Sequence, residues 1–274
     1  MKKTVSVGGF TASYVEYGAG PVCVLVHGAG ANRNYWKPLA RLLPDHHVFM
    51  PDLFGHGETP AWHATDGSQR LYNYQDDVEL LEAIVERSGT PIDLVGHSGG
   101  GSVCMEFAYK HPQAIRRLVL VEPTLPTVLR GIDDPAWAEV AEVYGLVHSD
   151  EDSGNKAGAA RRLFAYILGD AGWDELPTRS KAWMTDHVST LTAHSKSALG
   201  LPTNPRDYAS LSMPSLFIHG TQTRWPYKRL TQILAETIPG AQLVEIPGAM
   251  HNSPLTHPEP VNAAIVRFLT SSRD

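Results

Sequence analysis

The sequence predicts an α/β protein: a mostly parallel central sheet flanked by helices, with a helical cap inserted late in the sheet. Three observations predict it. Short apolar runs such as Val22-Cys-Val-Leu-Val26 alternate with stretches of helical periodicity, which is the pattern of a sheet covered on both sides. That run is apolar throughout, as a strand buried on both faces requires. The alternation also breaks after Pro123 and resumes near Tyr208, an interval of roughly 85 residues that is too long for an ordinary loop.

Taken in order, Val5–Val7 and Ala12–Tyr17 flank Gly8-Gly9 and read as a hairpin. Strand Val22–Val26 runs into a His27-Gly28-Ala29-Gly30 loop, and Tyr35–Leu43 reads as a short helix. Strand Val48–Met50 ends in Pro51-Asp52-Leu-Phe-Gly-His-Gly57. Between Gln75 and Arg87 the residues Val78, Leu81, Ile84 and Val85 fall at helical spacing, and Gly89 stops that helix. Strand Ile92–Val95, helix Gly99–Lys110 and strand Leu118–Val121 follow. Residues 123–208 form the cap, helical and aromatic-rich (Trp137, Tyr144, Phe164, Tyr166, Trp173, Trp183). Strand Ser215–Ile218, helix Tyr227–Glu236, strand Gln242–Ile246 and helix Pro258–Leu269 complete a core made of residues 1–122 and 209–274.

At 274 residues and 42% hydrophobic, the chain can bury one large core. Its 23 basic and 29 acidic side chains give a net charge of −6 without a basic run, so neither nucleic acid nor an anionic membrane is an expected partner. Lys2 and Lys3 have no apolar segment behind them, and no stretch nears the roughly 18 apolar residues of a membrane span. A soluble, cytoplasmic protein acting on a small molecule is expected. Cys23 and Cys104 fall in apolar surroundings and read as buried hydrophobes. No ligand cluster has metal spacing, so no metal or cofactor is implied.

Gly96-His97-Ser98-Gly99-Gly100 fits G-x-S-x-G between a predicted strand and a predicted helix. A sharp turn there needs nearly side-chain-free neighbours, and it stands Ser98 at a helix N-terminus, where developing negative charge is favoured. A plain glycine-rich turn would also pack a helix closely. A phosphate-binding turn would need G-x-G-x-x-G or a P-loop lysine, and neither is present.

With these residues, His27–Gly30, Pro51–Gly57 and Gly248-Ala-Met-His251, the chain resembles the α/β-hydrolase superfamily over nearly its whole length. The resemblance implies an α/β-hydrolase fold with Ser98 as nucleophile and His251 as base, in the chain order Ser, acid, His. Among 13 histidines, His251 is singled out by its place after the last strand. His219 reads as structural, His257 as lying near the start of the last helix, His46-His47 as a solvated pair, and His56 and His97 as candidates for the pocket wall. Gly99, the residue after the nucleophile, supplies one oxyanion donor. The resemblance makes Ala29 the other, although a tight strand exit would explain the same glycines.

The acid departs from the usual pattern. Its ordinary place lies after strand Ser215–Ile218, but no carboxylate occurs from Tyr208 to Ala235, and Thr223 stands about where the Asp belongs. Some superfamily members place the acid at the end of the strand preceding the cap, which here is Glu122. Pro123 biases Glu122 toward extended backbone. The alternative is that Glu122 is a cap-hinge residue and the acid is Asp133, Asp134 or absent. Asp52 reads as a loop anchor.

The resemblance implies hydrolysis of a small, hydrophobic ester, lactone, amide or diketone through an acyl-enzyme. The same constellation serves C–C bond hydrolases, cofactor-free dioxygenases, lyases and low-turnover receptors. Ser98 at the elbow argues against dehalogenase and epoxide-hydrolase chemistry, which needs Asp there.

Overall fold

A computed structural model describes residues 2–63, 71–89, 91–201 and 204–271. Eight strands form its sheet: β1 (Lys2–Val7), β2 (Phe10–Tyr17), β3 (Val22–Val26), β4 (His47–Pro51), β5 (Ile92–His97), β6 (Ile115–Val121), β7 (Ser215–Gly220) and β8 (Gln242–Ile246). Their spatial order is β1-β2-β4-β3-β5-β6-β7-β8. Both pairings of β2 are antiparallel, and the six strands from β4 to β8 run parallel. Gly8 and Gly9 both take positive φ in the two-residue β1–β2 turn, the geometry that matches strand twist in a tight hairpin.

Alternate residues of the central strands feed two cores, as the period of two requires. Val24 and Val26 pack on α2 (Tyr74–Ser88) and α3 (Ser98–Lys110), while Cys23 and Leu25 face the other side, where α10 (Pro258–Thr270) lies. Helix α2 opens with a capping box between Asn73 and Asp76, and Gly89 closes it at φ +84°. Both cysteines are buried and unpaired.

Between β6 and β7 stand α4 (Asp134–Asp152), α5 (Lys156–Asp174), α6 (Thr178–Asp186) and α7 (Val188–Gly200). They have a core of their own, with Val140, Tyr144, Leu163, Phe164, Val188 and Leu191 buried together. Helix α5 is interrupted at Gly169, which sits at φ +78°. Among the described residues, no helix is long and apolar enough to cross a membrane.

Three local expectations are corrected. The helix expected over Tyr35–Leu43 is a 3-10 turn at Arg33–Trp36 followed by the single turn α1 (Lys37–Ala40). Pro38 is the reason, because it lacks an N–H and is tolerated only in a first turn. His46 is buried rather than solvated, 3.7 Å from Asp93. Glu122 is not extended: it takes φ +44°, one of two non-glycine residues with positive φ among those described. The other is Ser98, at φ +52°.

Strand β3 pairs with β4 on one side and β5 on the other, so chain connections leave β3 and β5 in opposite directions. A parallel sheet opens a crevice at the carboxyl ends of such strands. Ser98 and the His27–Gly30 loop lie at that crevice.

Candidate active site

Ser98 begins α3 directly after β5, in a left-handed conformation that costs a non-glycine residue on the order of 1 kcal/mol. The surrounding glycines are dictated by space. A Cβ on Gly96 would lie 2.7 Å from Cys104 Sγ, and one on Gly100 would lie 2.1 Å from the His27 carbonyl oxygen. A Cβ on Gly28 would meet His97 Nδ1 at 2.8 Å. The packing of α3 against β3 therefore holds Ser98 in its strained turn.

His251 follows β8 and reaches back over the sheet. Its Nε2 lies 2.9 Å from Ser98 Oγ, and its Nδ1 lies 2.8 Å from Glu122 Oε2. The other carboxylate oxygen of Glu122 accepts from the Gly220 N–H and the Thr223 hydroxyl, each at 2.8 Å. Burial alone would push the Glu122 carboxyl up, but the bonds from His251, Gly220 and Thr223 outweigh it and hold Glu122 below the usual carboxylate range. An ionised Glu122 orients His251 with Nδ1 protonated and Nε2 turned to Ser98. Thr223 thus brings a hydroxyl to Glu122, which stands at the end of the neighbouring strand. Asp133 instead caps α4 and accepts from Trp225 Nε1, and Asp134 accepts from the Gly131 N–H.

His97 supports His251 from behind. Burial lowers its pKa to about 3, so the ring is neutral. Its Nε2 lies 3.0 Å from the His251 carbonyl oxygen, which can only accept, and so Nε2 carries the proton. Nδ1 then accepts from the Tyr35 hydroxyl at 3.0 Å. His27 and His56 are fixed by the same logic. Each sets Nδ1 against a carbonyl, Gly28 and Phe54 respectively, and each accepts a backbone N–H at Nε2. Burial drives their pKa values to about 4 and about 3. Asp52 accepts from the Arg33 and Glu58 N–H groups and ties the same loops together.

The cavity over Ser98 is small, about 50 Å³. Ala29, Gly99 and His251 line it from the sheet side, and Tyr144, Phe164 and Leu191 from the inserted helices. Ala29 and Gly99 face one another closely: a Cβ on Gly99 would lie 3.5 Å from that of Ala29. Of the six aromatics named from the sequence, Tyr144 and Phe164 reach this cavity, whereas Trp137, Tyr166, Trp173 and Trp183 do not. His56 and His97, expected as wall residues, are not in its lining either, because the loops they brace consume their ring nitrogens.

Several wall features escape sequence reasoning. Tyr227 and Tyr144 bond through their hydroxyls at 2.8 Å, and the Tyr227 ring lies 4.8 Å from that of His251. His194 of α7 also lines the cavity. Its Nδ1 lies 3.3 Å from the Tyr72 hydroxyl, which donates to Asp77 at 2.7 Å. Residues 72, 77 and 194 share no local motif that would announce this contact. Thr223 did carry a signal, since a hydroxyl in the acid's usual place is a donor available to an acid nearby.

Comparison with known proteins places this geometry. A family model described as "Alpha/beta hydrolase family" matches residues 23–264. An uncharacterized protein of Mycobacterium tuberculosis is 38% identical over 119 residues, covering 42% of this chain and 33% of that protein. The match thus spans about a third of that relative's length. An Acinetobacter baylyi protein, (E)-2-((N-methylformamido)methylene)succinate hydrolase, is 24% identical over 96% of this chain and 95% of its own. The structure of an enol-lactonase from Burkholderia xenovorans superposes with a TM-score of 0.77 at 20% identity, over 98% of this chain and 100% of that one.

Proposed function

The chain belongs to the alpha/beta hydrolase family; on that premise we propose that it is a hydrolase that cleaves a small acyl substrate, an ester or lactone, through an acyl-enzyme on Ser98. The observation that carries the proposal is the continuous chain Ser98 Oγ, His251, Glu122, at 2.9 and 2.8 Å. His251 Nε2 takes the Ser98 proton as Oγ attacks the carbonyl carbon, and the imidazolium gains the Glu122 charge across Nδ1. The N–H groups of Ala29 and Gly99 receive the oxyanion. His251 then protonates the leaving oxygen, and water activated by the same nitrogen releases the acyl group. Every proton is moved by these side chains and water. The inserted helices serve as a cap, closing a cavity suited to a short acyl group. Amide and C–C bond cleavage would use the same residues; a broken C–C bond would show in the products.

The test is steady-state hydrolysis of short p-nitrophenyl esters by wild type and Ser98→Ala, with fluorophosphonate labelling of both. Turnover and labelling that disappear together in Ser98→Ala are expected. A wild type that neither turns over nor labels at Ser98 sinks the proposal.

A further inference from the structure

Behind the cavity over Ser98 lies a second, larger space. It measures about 260 Å³ and is bounded by the backbone of Gly30–Asn32 and Gly55–Gly57, by His56, and by Trp183 and His187. The two spaces share one side chain, Leu191 of α7, which stands in the wall of both. Leu191 is 4% exposed and lies against the oxyanion loop: a Cβ on Gly30 would sit 3.2 Å from Leu191 Cδ2 and 3.8 Å from Phe164 Cζ. Ala29 belongs to the inner wall and its neighbour Gly30 to the outer, so the two walls meet in one loop.

The strand order says which end of a substrate faces this partition. His251 comes from the β8 side and must protonate the leaving oxygen, so the leaving group stays on that side of Ser98. The outer chamber is built on the loops after β3 and β4, on the opposite side of β5. The acyl portion is therefore the part that points toward Leu191. With about 50 Å³ in front of it, a cavity of a few water molecules' volume, only a short acyl chain fits.

We propose that Leu191 determines acyl-chain length: it holds the enzyme to short acyl groups by closing the cavity over Ser98 off from the outer chamber. The inference rests on the serine-hydrolase reading above. The described residues of the chamber wall include Asn32, two histidines and Trp183 and no lysine or arginine, so the acyl group it admits is neutral rather than anionic.

The experiment measures kcat/KM for p-nitrophenyl esters from acetate to octanoate, on wild type, Leu191→Ala and Leu191→Val. A parallel series of acetate esters has lengthening alcohols. Wild type should fall steeply beyond butyrate. Leu191→Ala should raise hexanoate and octanoate relative to acetate by roughly fourfold for each methylene that gains the chamber. Leu191→Val, a trimming by one carbon that the cap core tolerates, should move the same way by less. Trp183→Ala, exposed on the chamber wall, should lower the long-chain gain in the Leu191→Ala background and leave acetate unchanged.

Long acyl esters unimproved in folded Leu191→Ala and Leu191→Val overturn the proposal, as does a gain confined to the alcohol series. Labelling of Ser98 by a small fluorophosphonate separates the two readings. If wild type and variants all fail to label, the serine reading falls and this one with it. If all label while the chain-length profile stays fixed, only the role of Leu191 falls.

Discussion

Two buried carboxylates each reach a histidine in the wall of the same cavity, and their environments treat them oppositely. Glu122 collects an imidazole, a backbone N–H and a hydroxyl, and stays ionised below its ordinary pKa. Asp77, equally buried, collects the Phe54 N–H and the Tyr72 hydroxyl beside the carboxylate of Asp76, and burial pushes its pKa up to about 7. Burial is common to both. The number and charge of the donors decide which remains an anion at neutral pH. Glu122 bonds His251 directly, whereas Asp77 reaches His194 only through a phenol, and burial holds His194 neutral.

The comparison breaks first if the Ser98–His251–Glu122 chain is not the reactive one. Ser98→Ala should cut kcat by about 10⁵-fold or more, and Glu122→Gln by about 10⁴-fold, since a neutral amide cannot hold the imidazolium. Steady-state ester hydrolysis reads both, and Glu122→Gln near wild type would end the assignment of the acid. Thr223→Val tests the donor count. With one bond to the anion gone, kcat/KM should fall about tenfold, and Thr223→Ser should restore most of it. Unchanged kinetics in Thr223→Val would mean that the remaining bonds suffice.

Asp77 supplies the pH test. The native chain keeps its proton to about pH 7, while the unfolded chain loses it near pH 4. Native protein thus binds more protons in that window. The contribution of Asp77 to stability falls as pH rises from about 4 to about 7 and is flat above. Asp77→Asn removes that slope, so its urea midpoint should gain on wild type between pH 5 and 7.5; a constant difference would mean that Asp77 ionises normally. The smallest kinetic effect belongs to Tyr72→Phe, which lies outside the proton path. Its kcat/KM should stay within about threefold of wild type, with a stability loss of about 1 kcal/mol by denaturation. A large fall in kcat would bring the Asp77 side into the chemistry.

What could be read in the sequence follows from how local each constraint is. The elbow is legible because Gly96 answers a steric demand within a few residues of Ser98, where a Cβ would run into Gly100, Gly101 and Cys104. Strand β3 is legible because two-sided burial leaves an unbroken apolar run. Glu122 could be proposed because the carboxylate missing after β7 has to be supplied elsewhere, but its left-handed backbone could not, since Pro123 points to extended geometry. The burial of His46 depends on Asp93, far along the chain, and Leu191 gains its meaning from Gly30, on the other side of the insertion. Such contacts are created by the fold and leave no nearby pattern.

The attachment of the inserted helices has a consequence for engineering. Glu122, Pro123 and Thr124 lead into the insertion, and they are clamped to the helix that carries Ser98: the Thr124 N–H donates to Ser102 Oγ and lies 3.3 Å from the Ser98 carbonyl oxygen, and a Cβ on Gly101 would touch Pro123. A foreign cap spliced in at Val121 would replace Glu122 and loosen its clamp together. A graft that begins after Thr124 keeps both and exchanges only the walls, which makes that residue the natural seam for swapping specificity between relatives.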